Sequence, residues 1–183
     1  MKKAILCLLI AFGFTASAQM FKNKKEGSSI HFLSKSPLED IEATNKSPIA
    51  VYKVETGDVQ FAAVMTQFKF KAALMEEHFN ENYVESEKYP QAIFKGKVNE
   101  KVDLSKDGEN KVTVVGTLNL HGVTKEVKAE GTITKKGDEV IIHSVIKIAV
   151  ADYNIKVPSL YVQNIAEVVD VTIHAVMEPF VKK

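Results

Sequence analysis

The sequence predicts an all-β domain of about eight antiparallel strands with a single helix. Three observations lead there. Apolar and polar residues alternate through most of the chain, the period of half-buried strands. Short turn signals, among them Gly57-Asp58, Gly122 and Lys135-Lys-Gly-Asp138, separate the alternating runs at hairpin spacing. One stretch, 73–87, changes to a four-residue period that aligns Met75, Phe79 and Tyr83, as an amphipathic helix does.

Each element follows from its own residues. Residues 19–27 are polar and read as a loose lead-in. Ser28–Ser34 places Ile30 and Phe32 on one parity, a first strand. Residues 37–46 are acidic and turn-like, with Leu38 and Ile41 packing as a helical turn. Ile49–Val54, after Pro48, is a second strand. Val59–Phe70 is a long third strand with Val64, Thr66, Phe68 and Phe70 on one parity. The helix over 73–87 stops at Lys88-Tyr89-Pro90, because the residue before proline avoids the helical region. Gln91–Val102 is a strand with Ala92, Phe94, Gly96 and Val98 inward, followed by a polar turn over 103–110.

The most distinctive stretch is Gly116-Thr-Leu-Asn-Leu-His-Gly-Val-Thr-Lys-Glu-Val127. Leu118 and Leu120 alternate with Thr117, Asn119 and His121. After Gly122, Val123, Val127, Ala129 and Ile133 share a parity. Two such runs this close make a hairpin with one apolar face. Val140–Val150 follows with Ile142, Ile146 and Ile148 aligned, then a long connection over 152–165. Residues 167–177 close the chain, with Val169, Val171, Ile173 and Ala175 aligned.

About eight hairpin-linked strands imply a sandwich or a barrel, and a meander of eight can close and remove its edges. A barrel of that size is either filled or holds one small ligand. The inward set includes the small residues Ala63, Ala92, Gly96, Gly116, Gly131, Ser144 and Ala175. Small residues leave room for a cavity, or they serve strand coiling.

The chain of 183 residues opens with Met1-Lys2-Lys3, an apolar run from Ala4 to Phe14, and Thr15-Ala16-Ser17-Ala18. That is the pattern of an export signal, cleaved after Ala18. The apolar run is shorter than the ~20 residues of a spanning helix. The domain plan is therefore a signal peptide over 1–18, a flexible lead-in over 19–27 and a barrel over 28–179. No segment of the mature chain is apolar and long enough to cross a membrane. The only cysteine, Cys7, lies in the signal, so the mature chain has neither a disulfide nor thiolate chemistry. Cleavage leaves 22 lysines against 23 acids, a net charge of −1, and there is no arginine. That balance excludes nucleic acid as a natural partner and removes bidentate phosphate clamps.

Catalytic constellations are missing. The five histidines, His31, His78, His121, His143 and His174, form no His-x-x-x-His or Glu-x-x-His pattern. All but His78 take the outward parity. His121 buttresses the hairpin turn, and His78 sits on the helix. Glu76 and Glu77 are adjacent, so their carboxylates cannot converge from a helix. Ser28-Ser29 lacks a Gly-x-Ser-x-Gly setting. No cofactor or metal site is expected.

The hairpin Gly116–Val127 resembles the most specific signature of the YceI-like family, a Leu-x-Leu-(His/Asn)-Gly-Val-Thr-Lys motif. Glu126 stands where proline is common there. His78-Phe79 followed by Lys88-Tyr-Pro-Gln-Ala-Ile-Phe94 is similar to that family's helix and Tyr-Pro-x-Ala-x-Phe strand. Asp152-Tyr-Asn-Ile155 resembles its late (Asp/Glu)-Phe-x-Ile segment. The resemblance spans roughly residues 28–178.

The resemblance implies an eight-stranded antiparallel lipocalin-like barrel with the helix near its mouth. It also implies a non-enzymatic role, binding a polyisoprenoid or similar long-chain lipid in an internal tunnel, in the periplasm or outside the cell. The expected lining is Phe32, Phe61, Phe68, Phe70, Met75, His78, Phe79, Tyr83, Phe94, Leu118, Leu120, Ile146, Ile148, Tyr153, Val171 and Ile173. Without arginine, Lys or backbone amides would hold a diphosphate head, or the head is neutral, such as a quinone. The alternatives are a metal-dependent or otherwise catalytic barrel, and a structural envelope module with a filled core. A homodimer is the assembly to test.

Overall fold

The computed structural model describes residues 19–37, 39–157 and 166–180. The expected signal over 1–18 lies outside them. The described residues form strands β1 (Met20–Asn23), β2 (Ser29–Ser34), β3 (Ile41–Asn45), β4 (Ile49–Lys53), β5 (Asp58–Val64), β6 (Phe68–Phe70), β7 (Gln91–Val98), β8 (Gly108–Leu120), β9 (Val123–Lys136), β10 (Glu139–Ala149) and β11 (Val168–Pro179), with helix α1 (Ala73–His78) before β7. Every strand pair is antiparallel. These are eight lengths of chain, because β1–β2, β3–β4 and β5–β6 are each one long strand with a break. The lengths meander in chain order, and β11 pairs back onto β1 and β2. The result is a closed eight-stranded antiparallel barrel with one short helix.

Side chains patch the breaks. Asn23 Nδ2 donates to Pro48 O at 2.8 Å, and Asn23 Oδ1 accepts from Ala50 N at 2.7 Å. Ser28 Oγ accepts from Val176 N at 3.1 Å, where the β11 ladder passes from β1 to β2. Asn45, fully buried, donates to Val64 O at 3.0 Å and accepts from Ser47 N at 2.8 Å. An unpaired buried polar group costs ~1–3 kcal/mol, so these bonds allow the long strands to bend without that penalty.

The two ends of the barrel differ. One end carries the turns at 54–57, 99–107 and 137–138, and its interior is packed solid. Phe21, Tyr52, Ile133, Val140 and Met177 there are at most 1% exposed. Burial pushes the Tyr52 phenol above its ordinary pKa. The other end carries the 35–40 connection, the helix, the tip of the β8–β9 hairpin and the chain after β10.

Several sequence expectations need correction. The lead-in over 19–27 contains β1, and Phe21 at its centre sits in the core. Four residues are too few to show alternation, and the strand forms because β4 and β11 supply a ladder on each side. The helical turn expected in 37–46 is instead strand β3, held between β2 and β6. Its acidic Glu42 faces outward while Ala43 is buried; Leu38 lies outside the described residues. The strand after the helix ends at Val98, not Val102, and β8 begins inside the expected 103–110 turn. The 152–165 connection is described only at its start, where Val150–Tyr153 form a short 3-10 turn.

The helix is shorter than 73–87. After α1 the chain widens into a π-type turn over Phe79–Tyr83, with Val84 N donating to Phe79 O at 2.9 Å. Glu85 then adopts φ 44°, which stops the helix. Lys88 and Tyr89 amides both fold back onto Glu85 O. The stop therefore comes before Pro90 has any effect.

The β8–β9 hairpin closes on two residues, His121 (φ 51°) and Gly122 (φ 73°). Two positive φ values make the type I′ turn that suits the twist of paired strands. His121 Nδ1 lies 2.9 Å from Tyr153 O, and Nε2 lies 2.8 Å from Glu85 Oε2. The ring thus joins the hairpin tip to the turn after β10 and to the end of the helix segment. The ring also meets Tyr89 edge-on, with centroids 4.5 Å apart.

Truncating Phe21→Ala is expected to cost about 3–5 kcal/mol in chemical denaturation; a cost under 1 kcal/mol would mean that β1 is dispensable to closure. A Cβ on Gly122 would lie 2.5 Å from Tyr89 Cε1 at a backbone angle that side chains resist. Gly122→Ala is therefore expected to cost about 1–3 kcal/mol, read in the same way.

Candidate ligand cavity

The helix end of the barrel is hollow. A cavity of about 390 Å³ lies between the solid plug and α1. It falls in the range of small-molecule sites, and its wall is mostly aliphatic and aromatic. Fifteen of the sixteen expected residues stand in that wall: Phe32, Phe61, Phe68, Phe70, Met75, His78, Phe79, Tyr83, Phe94, Leu118, Leu120, Ile146, Ile148, Val171 and Ile173. Alternation puts the strand positions there, except that the expected third strand is broken by a 3-10 turn at Met65–Gln67. That turn shifts its parity, so that Phe61 as well as Phe68 and Phe70 face the cavity while Val64 and Thr66 do not line it.

Tyr153 does not line the cavity. It ends the 3-10 turn after β10 and packs under the hairpin tip with Leu118, Ile148 and Ile155. Burial and neighbouring Asp152 push its phenol above the ordinary range. The left-handed Asn154 (φ 57°) turns the chain back, so that Ile155 and Val157 face the cavity in its place.

The wall also includes residues left off the expected set. Val127, Ala129, Ile133, Ile142 and Val169 share the parity of named neighbours and were legible from it. Ser34 ends β2, and Glu39 and Ile41 come from the stretch over 37–46 that reads as a turn in the sequence. Of the small residues expected inward, Ala63, Ala92, Gly131 and Ser144 line the cavity. Gly96 instead lies under the Phe94 ring, and a Cβ there would meet Phe94 Cζ at 2.6 Å. Ala175 belongs to the solid plug.

Four phenylalanines seat the helix segment on the barrel. Phe79 stacks on Phe32, with centroids 5.5 Å apart and planes 21° apart, and tilts against Phe70 at 5.0 Å and Phe68 at 5.8 Å. Such ring pairs contribute ~0.5–1.5 kcal/mol each beyond burial. Lys69 Nζ, on β6, bonds Glu76 Oε1 at 2.5 Å, and Phe70 N donates weakly to Glu76 Oε2 at 3.4 Å. The Lys69 hydrogen bond holds the Glu76 carboxyl below its ordinary pKa. Helix and β6 thus form one wall of the cavity.

Polar groups in the wall are few and gather mainly at the two margins. Ser34, Glu39, His78 and Tyr83 lie towards the helix end; Thr132, His143 and Ser144 lie lower, on β9 and β10. Ser34 Oγ already accepts from Ala166 N at 2.8 Å. Among the described residues no lysine lines the cavity. Of the histidines expected outward, His143 borders the cavity, whereas His31, His121 and His174 do not line it. His143 and His174 face each other across β10 and β11 with ring centroids 6.3 Å apart, and His31 bonds Thr44. Among the described residues no three His, Cys, Asp or Glu side chains converge as metal ligands. No helix among them is long and apolar enough to cross a membrane.

Solved structures share this architecture. A polyisoprenoid binding domain from Saccharophagus degradans, implicated in plant cell wall breakdown, aligns over 90% of this chain and 100% of its own at 15% identity, with a TM-score of 0.74. Burkholderia cenocepacia BcnA aligns over 84% of this chain and 98% of its own at 19% identity, with a TM-score of 0.72. A Campylobacter jejuni YCEI protein aligns over 81% and 86% at 16% identity, with a TM-score of 0.54. At such identities the likeness is one of fold. No curated protein matches the chain. The YceI-like domain model matches residues 14–177, nearly the whole length, and the chain therefore belongs to the YceI-like family.

Proposed function

We propose that the protein is a non-enzymatic carrier or store for a polyisoprenoid or similar long-chain lipid, exported to the periplasm or beyond. The observation that carries this reading is the hollow, apolar helix end of a barrel whose other end is packed solid. Such a wall offers burial and little else, which suits a ligand that is mostly hydrocarbon. Each buried methylene is worth ~0.8 kcal/mol before ordering costs. The polyisoprenoid binding domain from Saccharophagus degradans, with the same fold, supports the choice of ligand class.

The wall also favours a neutral headgroup. A diphosphate drawn into the cavity would lose its water and find no lysine there. Burying charge without a partner is strongly unfavourable. Ser34 and His78 carry groups of the kind that hydrogen-bond a hydroxyl or quinone oxygen.

Protein purified from a native-like host is expected to carry an apolar molecule, extractable into organic solvent and visible by mass spectrometry, close to one per chain. Ligand-free protein from several hosts would count against the reading. Phe79→Asp places a carboxylate among the helix-seating rings and in the cavity wall. It is expected to reduce lipid retention at least tenfold while circular dichroism still shows a folded barrel. Unchanged retention in a folded variant would mean that the ligand does not sit against the helix.

A further inference from the structure

The ladder between β9 and β10 is incomplete, and β6, paired with β3 alone, lies beside the helix on its other side. β9 pairs with β8 along its whole length, from Lys135 opposite Gly108 to Val123 opposite Leu120. β10 pairs with β11 up to Ala149 opposite Val168. Between β9 and β10, however, pairing runs only from Lys136 opposite Glu139 to Gly131 opposite Ser144. Above that point Val123–Glu130 and Val145–Ala149 flank a seam without a ladder. The cavity reaches the seam from inside, since Val127 and Ala129 on one flank and Ile146 and Ile148 on the other line it.

Both ends of the seam are fastened by specific contacts. At the lower end Ser144 Oγ donates to Glu130 O at 2.7 Å. Gly131 lets the strands close there, because a Cβ would lie 2.4 Å from His143 O. At the upper end His121, at the tip of the β8–β9 hairpin, bonds Tyr153 O in the turn that follows β10. That bond crosses the seam. The second bond, to Glu85, ties the same ring to the end of the helix segment. Glu85, His121 and Asn154 are the non-glycine residues with positive φ among the described residues, and all three stand at or next to this junction. Sparsely populated backbone conformations persist where surrounding contacts hold them.

We propose that the seam between the upper halves of β9 and β10 is the portal through which the apolar ligand enters and leaves, and that His121 is the positioning residue that holds it shut. This rests on the lipid-binding reading above. Among the described residues side-chain packing closes the seam between its two fastenings, with Val123 and Val127 packed against the cluster that holds Ile148 and Tyr153. An apolar chain slipping through replaces one set of apolar contacts with another, whereas passage through a complete backbone ladder would have to break hydrogen bonds. His121 does not line the cavity, so its removal changes the gate and not the bound state.

The test uses retinol, a fluorescent isoprenoid alcohol, and the full chain. Stopped-flow mixing gives association and dissociation rates for the wild type, His121→Ala and Glu85→Ala. In His121→Ala both rates are expected to rise about tenfold, as for the loss of one or two hydrogen bonds, with Kd held within about twofold because a gate acts on both directions equally. Glu85→Ala keeps the bond across the seam and is expected to stay near wild type. Amide hydrogen exchange gives a reading free of ligand: residues 123–130 should exchange faster than 131–136, and faster still in His121→Ala. A weaker Kd at unchanged association rate would overturn the portal, since His121 would then support the cavity itself. Equal acceleration in both variants would overturn it in favour of entry past the helix. Exchange in 123–130 that His121→Ala leaves unchanged would overturn it whatever the ligand. Wild-type protein that binds no retinol and no longer isoprenoid alcohol would instead remove the lipid-binding reading on which it rests.

Discussion

Closure of the sheet is the constraint on which everything else depends. An open sheet of this size would leave a row of unpaired backbone groups at each edge. Here the first length of chain, β1 and β2, lies between β4 and β3 on one side and β11 on the other. The join puts Phe21 at the centre of the solid plug. With one end filled and rigid, the other half of the wall holds its shape around a space that side chains do not fill. The protein thus separates two tasks along one axis, with stability concentrated in the plug and accommodation at the helix end.

The chemistry of the hollow end follows from what stands in its wall. Aliphatic and phenyl groups give burial without direction, so they select for length and slenderness more than for functional groups. The few hydroxyl, imidazole and carboxyl groups gather mainly at its two margins, and among the described residues the lysines of this lysine-rich chain lie elsewhere. The helix is part of the wall rather than a separate cap, because Phe79 packs among Phe32, Phe68 and Phe70 and the Lys69–Glu76 pair fixes its first turn to β6.

Much of this was legible in the residues. Alternation in Leu118–Leu120, Ile142–Ile148 and Val169–Ala175 marks the inward faces, and these are the positions found facing the interior. The hairpin at His121-Gly122 announces itself by its glycine. What could not be read depends on distant partners. Met20–Asn23 and Ile41–Asn45 are too short and too polar to show a period, and they become strands because neighbours on both sides complete their hydrogen bonds. The early end of the helix is set by Glu85, whose left-handed backbone no sequence pattern displays, while Pro90 offers a stronger but later signal. Gly96 and Gly131 look alike in sequence, yet one is covered by Phe94 and the other admits the close approach of β10. Whether a small residue leaves space is decided by the side chain opposite, and the direction of Tyr153 is set by the left-handed Asn154 beside it, which no alternation displays.

On the proposed reading the cavity binds hydrocarbon by burial alone, with the polar end contributing little. A titration with isoprenoid alcohols of increasing length measures this most directly. Affinity should climb with each added isoprene unit, by roughly tenfold or more per unit at ~0.8 kcal/mol per buried methylene less ordering costs, and then level off once the cavity is full. An affinity that ignores chain length and follows only the headgroup, or no binding at any length, would contradict the account.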